Sequence, residues 1–300
     1  IDAWTEHSVQ MDEAMIKLEA GKTYKLQVEY FDNGGDCFAG LYWKTPSAGS
    51  QNVLARFGDA GKVAAECDVT VAVLGINKSI EREGQDRFSL ELPVDQQEFI
   101  KELYKVNPNT VVVLVAGSSM AVNWMDENVP AILNAWYPGE QGGNAVAEVL
   151  FGDYNPGGRL PLTYYNSLDE IPAFDNYSVK GRTYQYFEGQ PLYEFGYGLS
   201  YTKFRYKSKG VNVEQDTVKV SFEVSNTGKY DGDEVAQVYV KYPETGTYMP
   251  LKQLHGFKRV HIKKGKTSKV TIGVPKKDLR YWDEQERKFH LSESLALGQS

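Results

Sequence analysis

Residues 81–87 read EREGQDR, five charged side chains in seven positions, separated only by INKSI from the apolar run VTVAVLG at 69–75. Glu81 and Glu83 are one residue apart, so in an extended segment they share a side, and Gly84 lets the backbone turn sharply beside them. A carboxyl group placed in this way suits general acid–base chemistry, giving a proton to a leaving group and later taking one from water. Asp86 and Arg87 are expected to form an ion pair that fixes the turn and leaves one glutamate free to face a cleft. The same residues suit an ordinary charged, solvated loop, and spacing alone leaves both readings open.

Position favours chemistry, because open parallel sheets bind ligands outside the carboxyl ends of their strands and this loop directly follows such a run. Cleavage of a glycosidic bond would require a second carboxylate across the sugar, and no stretch of the sequence nominates it. Other candidates are weaker. GEQGGNAVAEVLFGDYNPGGRLPLTYY lacks both the GxGxxG and the GK[ST] spacing of a nucleotide site, so its glycines read as turns. AGSSM at 116–120 is not a GxSxG elbow. His7, His255, His261 and His290 are scattered, which predicts no metal, and no cofactor is expected. Asn77 and Asn176 begin N-x-[ST] triplets, which matter only where secreted proteins are glycosylated. GRTYQYFEGQPLYEFGYGLSYTKF at 181–204 holds eight aromatic residues among glycines and reads as a long loop clamped onto neighbouring domains.

The elements that must hold the loop are legible from periodicity. VTVAVLG (69–75) and TVVVLVAG (110–117) are β-branched runs of the kind buried on both faces of a sheet. LPVDQQEFIKELYKV (92–106) places Val94, Phe99, Ile100, Leu103 and Tyr104 on one helical stripe, with Pro93 in its first turn. PAILNAWY (130–137) continues the sheet, and a helix follows it, so the order predicts an α/β sandwich domain with a mostly parallel sheet. Before it, KTYKLQVEYFDNGGDCFAGLYWK (22–44) alternates about a turn-rich centre and reads as a hairpin, closed by the linker TPSAGSQN. After about residue 205 the runs at 217–228, 233–242, 251–262 and 266–275 predict a small immunoglobulin-like β-sandwich.

Composition narrows the partners. A chain of 300 residues with 41% hydrophobic content is long enough for two or three domains. A net charge of -7 with mixed signs argues against nucleic acid or an anionic membrane as the main partner. No run approaches the ~18–20 apolar residues of a membrane span. Twenty Tyr and five Trp suit sugar faces as well as β-rich cores. Cys37 and Cys67 read as two thiols rather than a disulfide or metal pair. The chain starts at Ile1 inside a patterned region, so it is expected to be an excerpt of a longer protein.

The order EREGQDR, LELP, QQEFI, then WYPGEQGGNAVAEVLFGDYNPGGRLPLTY, then GRTYQYF and PLYEFGYGLSYT resembles the C-terminal half of glycoside hydrolase family 3 over residues 58–205. VSNTGKYDGDEVAQVYV and LKQLHGFKRV resemble the fibronectin type III-like domain that ends many of these enzymes. LEAGKTYKLQVEYFDNGGD and AGLYWKTP resemble the second half of a protective-antigen-type β-sandwich inserted in some members. The resemblance implies boundaries at 1–52, 53–207 and 208–300 for these three parts.

It further implies an exo-acting, retaining β-glycosidase that removes glucose or xylose from the non-reducing ends of oligosaccharides. The nucleophile would be an aspartate on an N-terminal (β/α)8 barrel of the same polypeptide, which this chain does not contain, so the chain alone is expected to be inactive. The acid/base maps to Glu83 through the EGxDR form, with Glu81 the alternative because loop length varies. Asp86 and Arg87 would hold the loop, and Arg182 and Tyr184 would brace the cleft and domain contacts. The partners implied are the oligosaccharide and the barrel; a homo-oligomer is left open. The resemblance suggests a periplasmic or secreted setting, with any signal outside this chain. The competing class is a catalytically inactive relative serving as a carbohydrate-binding or scaffold module, against which a retained Glu83 speaks.

Overall fold

The computed structural model describes residues 12, 14–19, 21–31, 41, 54, 57–242, 248–283, 285–291 and 296–298. The chain falls into two compact units, residues 1–117 with 124–136 and residues 118–123 with 137–300.

In the first unit, β1 (Thr70–Gly75), β2 (Thr110–Val115) and β3 (Ala131–Asn134) form a parallel sheet in that order. Val71 lies opposite Val111, and Val111 opposite Ala131. Parallel neighbours cannot be joined by a tight turn, so α1 (Ala60–Glu66) leads into β1 and α2 (Val94–Val106) connects β1 to β2. α2 buries Ile100 and Leu103, worth ~1.5–3 kcal/mol each. Phe99 meets Phe57 with ring centroids 4.4 Å apart, and Tyr104 stands edge-on to Trp124 at 5.7 Å. Val94 departs from the expected stripe: it opens the helix and is 57% exposed.

β2 is the middle strand, and Val112, Val113 and Leu114 are buried in succession, as a strand covered on both faces requires. β1 does not follow that expectation. It is an edge strand on which Ala72 and Leu74 are buried while Val71 and Val73 are exposed. The Asn107 carboxamide, itself buried, donates to Ala64 O, Cys67 O and Thr70 Oγ1 and so ties the end of α2 to the entry of β1. Residues 22–31, read above as the first arm of a hairpin, form no strand, and DNGGD at 32–36 lies outside the described residues.

The second unit opens with α4 (Gly142–Phe151), numbered after the short α3 (Asn123–Asn128). α5 (Thr183–Tyr186) is a single turn. β4 (Phe204–Glu214), β5 (Thr217–Asn226) and β8 (Thr267–Pro275) make one antiparallel sheet in the order β4-β5-β8. β6 (Gly232–Lys241), β7 (Gln253–Ile262) and β11 (Ala296–Gly298) make another, ordered β11-β6-β7, and β9 (Arg280–Asp283) pairs with β10 (Lys288–Leu291). Val220, Phe222 and Val224 of β5 meet Ala236, Val238 and Val240 of β6 and Val270, Ile272 and Val274 of β8 in one core. Every second residue is apolar because successive side chains alternate between faces.

The glycine and aromatic tracts between α4 and β4 are fastened to this sandwich. Residues 160–164 pair with 193–197 through Leu160 N to Tyr197 O, Gly196 N to Leu160 O, and reciprocal bonds between Tyr164 and Tyr193. Arg159 Nη2 lies 2.6 Å from Glu234 Oε2 with both side chains about nine-tenths buried, and Tyr206 Oη donates to Glu234 Oε1 at 2.8 Å. Burial, with Glu234 beside it, pushes the Tyr206 phenol far above its usual pKa, so it stays a donor. Asn226, 1% exposed, accepts from Thr202 Oγ1 and Gly228 N and donates to Tyr230 O and Ile262 O, satisfying both ends of a buried amide.

Candidate active site

The loop after β1 is fixed at both ends before any of its charges is placed. At Gly75 an added Cβ would lie 1.8 Å from Val115 O, so no side chain fits where the strand closes on β2. Gln96, in the first turn of α2, then takes both backbone groups of Gly75: Gly75 N donates to its Oε1 and its Nε2 donates to Gly75 O, each at 2.8 Å. The next residue, Gln97, donates from Nε2 to Leu92 O at 2.7 Å and to Glu91 Oε2 at 3.2 Å. Adjacent glutamines thus clamp the two ends of one loop. The sequence carried a signal for this, paired amides opening the helix that follows the charged segment, and reading them only as part of the helix missed it.

Within the loop, Asn77 Oδ1 accepts from both Ser79 N and Ser79 Oγ, an Asx turn that starts the reversal. Arg82 and Gln85 exchange backbone bonds at 3.0 Å in both directions, leaving Glu83 and Gly84 at the tip of a two-residue turn. Gly84 has φ +74°, the positive angle that a type II turn places at this position. Gln85 Nε2 donates to Ser79 O at 3.2 Å and joins the tip to the first turn.

The two glutamates are treated differently. Glu81 Oε2 accepts from Arg87 Nε at 2.8 Å, with the arginine side chain 10% exposed and the glutamate side chain 26%. Glu83 is exposed and makes no side-chain hydrogen bond or ion pair among the described residues. The ion pair expected between Asp86 and Arg87 is not formed. Neighbours in an extended segment project to opposite sides, so Asp86 turns to solvent while Arg87 reaches across the base of the turn to Glu81. Arg87 is thereby joined to Glu81 across the turn.

Arg182 and Tyr184 belong to the second unit, and each is engaged there. Arg182 Nη2 donates to the carbonyls of Pro172, Ala173 and Asn176 at 2.9–3.0 Å, gathering the 172–176 turn. Tyr184 stacks on Phe195 at 4.1 Å and its Oη accepts from Leu254 N of β7. No group of three or more His, Cys, Asp or Glu that could hold a metal occurs among the described residues. No described helix is long and apolar enough to cross a membrane. Two carboxyl groups of the loop, Glu83 at the tip of the turn and Asp86 beyond it, are exposed and make no side-chain hydrogen bond or ion pair among the described residues. Glu83 is the one carried on the braced turn, an arrangement suited to proton transfer to a bound substrate.

The comparisons with known proteins agree with this architecture. Residues 12–201 match the glycosyl hydrolase family 3 C-terminal domain, and residues 234–294 match a fibronectin type III-like domain. A xylan 1,4-beta-xylosidase from Xylanibacter ruminicola is 44% identical over 204 residues, covering 67% of this chain and 24% of that protein. A beta-glucosidase from Kluyveromyces marxianus is 35% identical over 298 residues, covering 92% of this chain and 35% of that protein. The crystal structure of the Kluyveromyces marxianus beta-glucosidase in complex with glucose superposes with a TM-score of 0.73 at 35% identity, over 81% of this chain and 31% of that one. The chain therefore spans between a quarter and about a third of these curated relatives. Its fold is the family's α/β sandwich domain with a parallel sheet, followed by a fibronectin type III-like β-sandwich. The chain belongs to glycosyl hydrolase family 3.

Proposed function

We propose that this chain supplies the acid/base loop of an exo-acting, retaining β-glycosidase that removes terminal β-linked glucose or xylose from oligosaccharides. The observation that carries the reading is Glu83, exposed at the tip of a turn whose base is held by Gln96, Gln97 and the Arg87–Glu81 pair. Relatives named beta-glucosidase and xylan 1,4-beta-xylosidase support the reaction class.

In this reading Glu83 protonates the glycosidic oxygen as the bond breaks and then takes a proton from water as the glycosyl-enzyme is hydrolysed. Glu81 is the weaker choice, because its carboxylate already accepts from Arg87 and would have to leave that partner to act. The nucleophile is assigned to a (β/α)8 barrel N-terminal to this region in the same polypeptide, with its carboxylate ~5–5.5 Å from Glu83, as retention requires. On this reading the chain by itself does not turn over substrate. The division into parts at residues 52 and 207 belongs to the same proposal. Hydrolysis of nitrophenyl β-glucoside and β-xyloside by the full-length protein, with the first-formed anomer followed by NMR, tests it. Release of the β-anomer supports retention, and absence of turnover on both substrates favours a scaffold role.

A further inference from the structure

Charge is unevenly distributed along the chain. Residues 203–277 hold 16 Lys and Arg against 7 Asp and Glu, whereas the whole chain has 33 against 40. The excess is organised on the outer face of the β4-β5-β8 sheet. Along β4, Arg205, Lys207 and Lys209 are exposed, while Phe204 and Tyr206 between them pack against the core. The register sets Arg205 beside Ser225 and Thr267, and Lys207 beside Glu223 and Lys269. Lys203 and Lys266 border the same end of the sheet, where their carbonyls accept from Thr227 N and Asn226 N.

Two of these cations are matched: Lys209 Nζ lies 2.9 Å from Glu223 Oε2, and Lys219 pairs with Glu214 at 2.5 Å. Lys203, Arg205, Lys207, Lys266 and Lys269 make no ion pair with a carboxylate among the described residues. The hydrogen bond from Lys209, with Lys207 and Lys269 close by, holds the Glu223 carboxyl below its usual range, which reports a positive field at the centre of the face. Lysines on an edge strand discourage sheet-to-sheet pairing, but interspersed signs would serve solubility as well. Here the outward charges of β4 and β8 are all positive except Glu214 at the far end of β4, which is paired with Lys219.

The remaining chemistry of the face is hydroxyl. Ser221 Oγ lies 3.0 Å from Thr271 Oγ1, and Ser225 Oγ lies 2.7 Å from Thr267 Oγ1, in rows above and below the Lys207–Lys269 row. No aromatic side chain occupies the outward positions of these three strands. Bases of single-stranded nucleic acid are held by stacking on aromatic rings, and bilayer surfaces by apolar side chains that insert. A polymer bearing carboxylates at intervals and hydroxyls between them matches what is present.

We propose that the outer face of the β4-β5-β8 sheet is a docking surface for an acidic polysaccharide, a sugar chain carrying uronate carboxylates, through Arg205, Lys207 and Lys269 flanked by Lys203 and Lys266. The choice of a polysaccharide rests on the glycosidase reading; the preference for an anionic polymer rests on the face itself.

Affinity electrophoresis of the full chain through gels containing polygalacturonate or neutral arabinoxylan tests this. Polygalacturonate retards the wild type at ~50 mM salt, the retardation weakens steeply as salt rises, and arabinoxylan has no effect. The R205Q/K207Q/K269Q variant loses about tenfold or more in affinity. K62Q/K101Q/K105Q, which carries the same net charge with the cations removed from the first unit, binds as wild type. K207R/K269R retains binding, and urea melts establish that each variant is folded. Equal retardation of R205Q/K207Q/K269Q and K62Q/K101Q/K105Q overturns the proposal. So does tighter binding of the wild type to duplex DNA or to phosphatidylserine vesicles than to polygalacturonate. The readout is binding, so failure of the full-length protein to hydrolyse glycosides would remove the glycosidase reading without altering this result.

Discussion

Arg87 Nε lies 2.8 Å from Glu81 Oε2, and this one pairing sets Glu81 apart from Glu83, which is exposed at the tip of the same turn. Glu81 is held as a strut, and Glu83 is the residue to which the proposed acid/base role is assigned. Arg87→Met removes the strut's partner and leaves a partly buried carboxylate behind. We expect it to cost roughly 1–3 kcal/mol in a urea melt. With Glu83 as the proposed acid, the variant of the full-length protein should show a kcat lowered more than its KM is raised, because the acid is displaced without loss of sugar contacts.

The glutamine clamp makes a prediction about geometry. Gln96→Ala removes two hydrogen bonds and leaves both backbone groups of Gly75 to find other partners, at about 2 kcal/mol. Hydrogen exchange read by mass spectrometry should show faster exchange in residues 76–92 than in the core of β2. Gly75→Ala should prevent a native sheet altogether, since its methyl group would overlap Val115 O.

Arg159 and Glu234 form a pair whose side chains are 12% and 10% exposed. Removing one member strands a charge away from water, so Arg159→Met should destabilise the second unit by roughly 3–5 kcal/mol in chemical denaturation. Replacing both with Met and Gln should recover part of that loss.

Acid should act at Asp233. Burial raises its pKa, but hydrogen bonds from His261 and Arg259 outweigh that and hold the carboxyl below its usual range. A folded-state pKa depressed in this way contributes stability above the unfolded value of about 4, and the contribution is lost as pH falls through the lower folded value. Asp233→Asn should therefore be less stable than wild type at pH 7, with the gap narrowing below about pH 4. Thermal melts across that range give the comparison.

The strands were largely legible because a two-residue alternation and β-branched runs follow directly from burial. β2, β5, β6, β7 and β8 lie where those runs are, and α2 lies where its stripe is. β4 and the β9–β10 pair were not foreseen. β4 alternates cations rather than apolar residues over much of its outer face, which resembles a solvated loop until its register with β5 is known. At the site, the turn at Gly84 was readable from residue type. The partner of Arg87 was not, because proximity in sequence favoured Asp86 and only the hairpin brings residue 81 across to residue 87. Arg182 and Tyr184 were singled out for their place in a motif, and their bonds to carbonyls and to Leu254 N depend on long-range packing that local sequence does not encode.

The most direct measurement is the pre-steady-state and steady-state hydrolysis of aryl β-glycosides by the full-length enzyme carrying Glu83→Gln or Glu81→Gln. With Glu83 as acid/base, Glu83→Gln slows substrates with poor leaving groups by about 10²–10⁴-fold and activated ones far less. Azide then restores turnover of the activated substrates by trapping the glycosyl-enzyme. Glu81→Gln retains the leaving-group dependence of the wild type and loses stability instead. Wild-type rates for Glu83→Gln, or azide rescue confined to Glu81→Gln, would contradict the assignment.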